Sequence, residues 1–252
     1  MRALILIAVL LASSKAPAFT LQEQGLIGWS VKHLSVNVNY ASCPIDQSQL
    51  ERAIDHAFEL WNAVATANIY LVRGANSATT PAAAIAGTAT DSPVIVCDTA
   101  LTATIGRDSE NIAGWTELNQ SSGTIVYAAI LLNAEAGKSS RIQNLGTTQL
   151  ELAIAHEVGH LLGLGHSADD TSLMHHDYRI KNQLRLSQDD IDGLTYLYTR
   201  VEPDEDKVFG CSTVGSASGG AAPGAPGPFL WMLVLCAAAA LWARRPSHSE
   251  AR

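Results

Sequence analysis

The chain has 252 residues, 47% of them hydrophobic and 16% charged, with a formal net charge of −8 at pH 7. That is long and apolar enough for one globular domain with a real core, and the acidic balance argues against nucleic acid as a partner. The four cysteines form no CxxC, so neither a cysteine zinc site nor a thioredoxin-like role is supported.

Residues 1–18 read as a secretory signal: Arg2 gives a charged start, residues 3–12 an apolar core, and Ala16-Pro17-Ala18 a small-x-small cleavage site. The mature domain is then expected to span residues 19–201, with 10 Lys+Arg against 19 Asp+Glu and a net charge of −9. That charge is expected to disfavour very acidic substrates. Residues 31–40 alternate apolar and polar, as a half-buried strand does. Residues 45–64 contain an amphipathic helix, with Leu50, Ala53, Ile54, Ala57, Phe58 and Trp61 at helical spacing. Residues 69–72 and 94–96 are short strand candidates, and 76–91, rich in Ala, Thr and Ser, read as a loop. Residues 99–107 fit strand or loop equally. A strand over 111–118, a turn at Ser121-Ser122-Gly123 and a strand over 125–133 follow. Thr148 and Glu151 form a capping-box pattern at the start of the next helix, and Ser187 with Asp190 a weaker one before the last helix.

Between those two starts lies the densest chemistry of the chain. His156-Glu157-Val158-Gly159-His160-Leu161-Leu162-Gly163-Leu164-Gly165-His166 reads H-E-x-x-H-x-x-G-x-x-H. His156 and His160 are four apart, so on a helix they project from one face and their nitrogens can share a zinc ion. Glu157 sits beside the first ligand and can reach a water on the metal without binding the metal itself. Gly163 can break the helix, so that the chain turns back and supplies His166 as third ligand. Three protein ligands leave one position for water, the pattern of a catalytic zinc site. One Zn2+ is expected; structural calcium is compatible with the sequence but not indicated by it.

The C-terminal end has two further parts. Residues 202–228 are an acidic run followed by a Gly/Ala/Ser/Pro linker that cannot bury a core. Residues 229–245 comprise 15 uncharged apolar residues, 229–243, then Arg244-Arg245. They read as a C-terminal transmembrane or sorting helix whose arginines stay in the cytoplasm. Cys211 lies in the linker and Cys236 in the apolar tail, leaving Cys43 and Cys97 in the domain. In an exported protein these two are expected to pair; two buried free thiols are the alternative.

The zinc motif, followed by Ser172-Leu173-Met174, resembles the metzincin clan of zinc endopeptidases and, within it, the matrixins. The pattern Ala57-Phe58-Glu59-Leu60-Trp61, the strand before the zinc helix and a closing helix from Leu186 to Tyr198 are similar to matrixin elements in the same order. The resemblance covers most of residues 29–199. It implies an α+β fold: a twisted mixed sheet packed on helices, with an active-site helix, a Met-turn at Met174 and a cleft below an edge strand. It also implies an exported zinc endopeptidase with Glu157 as catalytic acid–base, His156, His160 and His166 as metal ligands, and a protein or peptide substrate, acting as a monomer. The alternative is a surface-displayed binding or adhesion module with a vestigial zinc site. The chain departs from the family in lacking a cysteine switch; Cys43-Pro44 does not match one. It also lacks a histidine segment for a second zinc: His33 and His56, the only upstream histidines, read as structural or exposed. After Met174 stand His175-His176-Asp177-Tyr178, and His176 reads as a surface histidine in a place where it could otherwise assist the transition state. The tail, with Gly210-Cys211, resembles myxobacterial sorting tails. Location is thus expected at the cell envelope or surface, with release after C-terminal processing as a variant.

Overall fold

The structure is a computed structural model that describes residues 19–88 and 90–201. The proposed signal, the linker with Cys211, and the apolar tail lie outside the described residues. Among the described residues no helix is long and apolar enough to cross a membrane.

In chain order the elements are β1 (Gly28–Trp29), β2 (His33–Asn39), α1 (Gln47–Asn62), β3 (Tyr70–Asn76), α2 (Pro81–Ile85), β4 (Val94–Asp98), α3 (Leu101–Ile105), β5 (Gly114–Ser121), β6 (Thr124–Asn133), α4 (Thr147–Leu161) and α5 (Gln188–Leu197). The sheet runs β1-β6-β4-β2-β3, and β5 pairs with β6. Every pairing is parallel except β5 with β6, which is antiparallel. The result is a mixed sheet with β5 bonded on one side only. This is the α+β, metzincin-like architecture expected from the sequence.

Side-chain alternation assigns the two faces of the sheet. Ala128, Ile130 and Leu132 of β6, with Ile95 and Cys97 of β4, join the core built around α1 and α4. Their alternate neighbours Tyr127, Ala129, Leu131, Val94 and Val96 pack instead with Ala84 of α2 and Leu101 of α3. Covering both faces explains why β4 is buried throughout and reads as a continuous apolar run rather than an alternating one. The six residues expected to form the buried stripe of α1 are its buried residues. Trp61 Nε1 donates to Ala155 O at 2.9 Å, which fixes α1 against α4. Cys43 and Cys97 are bonded, with Cα atoms 5.0 Å apart across 54 residues, the pairing expected from the sequence.

Several local expectations change. The stretch 76–91 is not all loop. Pro81 begins a short helix whose preceding Thr80 side chain accepts from Ala83 N, and proline at a first helical position costs no hydrogen bond. Residues 99–107, which fit strand or loop, form α3, closed by Gly106 at φ +70°. The strand expected over 111–118 is shifted toward the C-terminus at the same length, as β5 (Gly114–Ser121). Residues 109–112 are held off the ladder by Asn133, whose Nδ2 donates to Ser109 O and Ile112 O. The capping box of Thr148 and Glu151 does not form: α4 begins after Gly146 with no side-chain cap, and Glu151 turns to His56 at 2.8 Å. The weaker pattern is the one that forms, with Ser187 and Asp190 closing a reciprocal capping box at α5. The turn before β6 is as expected, with Ser122 at φ 51° and Gly123 at φ 83°, a consecutive positive pair that suits the twist of a tight hairpin.

Candidate metal centre and cleft

Helix α4 is apolar over most of its circumference, and residues 152–165 are buried without exception. A helix of that kind runs through a core, so histidines on it need a partner. His156 and His160 project together from it. At its end Gly163 N donates to His160 O at 2.8 Å and Leu164 N to Gly159 O at 3.0 Å. This pair of bonds is a Schellman motif, with Gly163 at φ +101° as its left-handed residue. The reversal carries the chain back, and an N-terminal segment seats it. Gly165 N donates to Thr20 O, Gln22 N to Gly163 O, and Thr20 Oγ1 to His166 O at 2.7 Å. Nothing in the sequence signalled that Thr20 and Gln22 hold the loop that carries His166.

The three imidazoles meet. His160 Nε2 is 3.1 Å from His156 Nε2 and 3.3 Å from His166 Nε2. Nδ1 of His156 lies 2.8 Å from Leu173 O, and Nδ1 of His160 lies 2.7 Å from Leu164 O. A carbonyl can only accept, so each Nδ1 carries the proton and each Nε2 presents a lone pair. Lone pairs facing one another are not hydrogen-bonded; they are a donor set. Ligands about 2.0–2.1 Å from a tetrahedral zinc sit about 3.3 Å apart, so the spacing fits one such ion. Burial and the neighbouring His160 hold His156 well below the usual histidine range. Burial takes His160 down to about 4. His166, the exposed member, is lowered by burial and then by His176, His175 and Arg107. All three are thus neutral at pH 7, the state a metal requires.

Beneath them lies the turn at Met174. Asp190, buried at the start of α5, accepts from Leu173 N at 2.8 Å, Met174 N at 3.1 Å and Ser187 N at 2.7 Å, and also from the Ser172 hydroxyl. Ser167 N, one residue past His166, donates to Met174 O at 2.9 Å. Met174 is buried against Gly159, where a Cβ would run into its sulfur and into Trp61. One carboxylate therefore fixes the turn, and the turn in turn orients His156 through Leu173 O.

Glu157 is 5% exposed and faces β5. Its Oε2 accepts from Thr116 Oγ1 at 2.7 Å. A Cβ at Gly114 would come within 2.5 Å of Glu157 Cγ, so a glycine there makes room for the side chain. Burial pushes the Glu157 carboxyl up to about 7, against the lowering effect of Thr116. Sequence reading picked out neither Gly114 nor Thr116, because β5 carries no motif. Tyr178 was also missed as a site residue. It is buried, its ring lies 5.1 Å from that of His156, and burial pushes its hydroxyl far up, so it stays protonated. His176 is exposed, as expected, at the cleft mouth and 4.2 Å from the His175 ring. The upstream His33 packs edge-on against Tyr70, while His56 bonds Glu151. The histidine cluster opens into a cleft of about 450 Å³ that runs between β5, the segment at Thr20 and the wall at Tyr178.

Comparison with known proteins agrees with this geometry. Residues 104–199 match the family model described as matrixin. The chain is 26% identical to interstitial collagenase of Sus scrofa over 176 residues, covering 68% of this chain and 32% of that protein. It is 52% identical to stromelysin-2 of Rattus norvegicus over 54 residues, 20% of this chain and 11% of that one. It is 46% identical to metalloendoproteinase 2-MMP of Arabidopsis thaliana over 50 residues, 19% and 13% of the two chains. The matched part thus spans a third or less of the length of these relatives. Fold, converging histidines and sequence matches together mark this as a matrixin-like domain.

Proposed function

We propose that this chain is an exported zinc-dependent endopeptidase, with His156, His160 and His166 as the ligands and Glu157 as the catalytic acid–base. The observation that carries the reading is the convergence of three imidazoles, the Nε2 of His160 within 3.1 and 3.3 Å of the other two, with a buried carboxylate in the same cleft. Metal binding alone does not need that carboxylate, which argues against a binding module with a vestigial site.

A zinc ion held by the three histidines would supply Lewis-acid activation of water and of the scissile carbonyl. The chain's own residues do the rest. Glu157 takes the proton of the attacking water and delivers it to the leaving amine. Thr116 occupies Oε2, which leaves Oε1 for the proton. The Leu173 and Leu164 carbonyls keep two ligand rings in the required tautomer. Substrate lies extended along the free side of β5, pairing with it as an added strand. Export rests on residues 1–18 and accords with the bonded cysteines, which persist in oxidising compartments.

The test is cleavage of an unfolded protein such as casein by the purified, zinc-loaded protein. Cleavage that chelator abolishes and zinc restores is expected. No cleavage despite bound zinc would favour the binding module.

A further inference from the structure

We propose that Arg107 is a specificity-determining residue that pairs with an acidic side chain of the substrate beside the scissile bond. The inference rests on the endopeptidase reading and deepens it by naming the substrate class.

Arg107 follows Gly106, whose left-handed φ of +70° ends α3 and turns the chain toward β5. The guanidinium carbon then sits 4.5 Å from the centre of the Trp115 ring. Trp115 is a firm platform: it is half-buried against the second core, and its Nε1 donates to Glu117 Oε2 at 3.3 Å. Both residues line the same cleft as the histidines and Glu157. An arginine laid on an aromatic face keeps its in-plane N–H donors free, and those donors match a carboxylate in a two-pronged geometry.

No described residue accepts from those donors. Among the described residues Arg107 makes no ion pair, and the neighbouring acids have other partners, Glu117 accepting from Trp115 Nε1. Asp108 is paired with Lys138. Glu110 accepts from Ser139 N at 3.2 Å. The one acid lining the cleft, Glu157, is buried and bonded to Thr116. A pre-oriented cation without an ion pair among the described residues thus stands in a cleft whose described lining has no exposed acid, on a domain whose net charge is negative. The whole-domain charge suggested that acidic substrates would be disfavoured; the cleft has the opposite local sign.

Placement also predicts a pattern. Thr116 points toward α4 and Trp115 to the other face of β5, since neighbours on a strand alternate. An extended peptide pairing with β5 alternates likewise, so Arg107 should read one position and ignore the positions on either side of it.

The experiment uses matched peptides carrying a single Glu, Gln or Lys at each position from three before to three after the cleaved bond. The measured quantity is the ratio of kcat/KM within each set. With the parent protein, one position should favour Glu over Gln by roughly five- to tenfold, the range expected of a partly exposed charged pair, and should disfavour Lys. Arg107→Gln should bring that ratio to about one, and Arg107→Glu should invert the order of Glu and Lys. Arg107→Lys should give an intermediate ratio, because the charge remains and the planar fork is lost. Zinc content and circular dichroism establish that each variant is folded. A parent without any acidic preference, or a preference unchanged in Arg107→Glu, overturns the proposal and leaves the endopeptidase reading standing. Failure of the zinc-loaded parent to cleave any peptide or casein overturns both.

Discussion

The Thr116 hydroxyl on β5 lies 2.7 Å from Glu157 Oε2 and 3.1 Å from the backbone carbonyl oxygen of the same residue. One side chain of the edge strand thus meets both the side chain and the main chain of the residue beside the first histidine. The strand that would align substrate and the carboxylate that would move the proton are tied to one another.

Thr116→Val keeps the shape and removes the donor. Glu157 then stays buried with its Oε2 unpartnered. A hydrogen bond to a charged group is worth about 1.5–3 kcal/mol, so kcat should fall roughly tenfold or more, with KM little changed. Thr116→Ser should recover most of the loss. Steady-state kinetics on one peptide checks this; a Val variant within twofold of the parent would mean that the bond does not position Glu157.

The bond between Cys43 and Cys97 closes a loop of 54 residues between the end of β2 and β4. In the chain-entropy view such a link stabilises by about 4 kcal/mol. Replacing both cysteines by alanine should lower the denaturant midpoint accordingly, while the histidine cluster stays intact. An unchanged midpoint in urea would show that packing around β4 suffices without the link.

Glu135 gives a dependence on pH that does not involve the metal site. Its carboxylate accepts from Thr102 N at 2.7 Å and Ser109 Oγ at 3.0 Å. These bonds, the backbone one first, hold its pKa below the usual value. A depressed carboxylate stabilises the fold above its unfolded pKa of about 4.3, and the contribution is lost as pH falls through the lower, folded pKa. The parent should therefore melt above Glu135→Gln at pH 7, and the gap should close on acidification toward pH 3. A gap that is constant with pH, or that widens in acid, would contradict the assignment.

What the sequence made legible was what period and spacing encode. The stripe of α1, the alternation of β2, the Ser122-Gly123 turn and the H-E-x-x-H-x-x-G-x-x-H run each have a local signature, and the structure carries each one. The partners of the site were hidden because they come from elements without a motif. Thr116 and Gly114 reach Glu157 only because β5 folds back on β6. Thr20 and Gln22 meet the loop at His166 from well over a hundred residues away. Tyr178 was read as part of a departure from the matrixin pattern, not as the buried ring beside His156. The capping boxes make the same point: Glu151 turns to a long-range partner in His56 and leaves its local pattern unmade, whereas the Asp190 carboxylate holds Ser187 and the turn at Met174 at once. The Arg107 side chain was invisible for a further reason. Total charge describes the whole surface, and only the structure separates the cleft from the rest.

Glu157→Ala separates binding from chemistry at this site. The three histidines stay in place, so metal analysis should still find about one zinc per domain. General acid–base help alone is worth about 10²–10⁴ in rate, and Glu157 serves in two steps, so hydrolysis of casein should fall by several orders of magnitude. A folded, zinc-loaded Glu157→Ala protein whose rate stays within tenfold of the parent would contradict the assignment of Glu157 and the mechanism built on it.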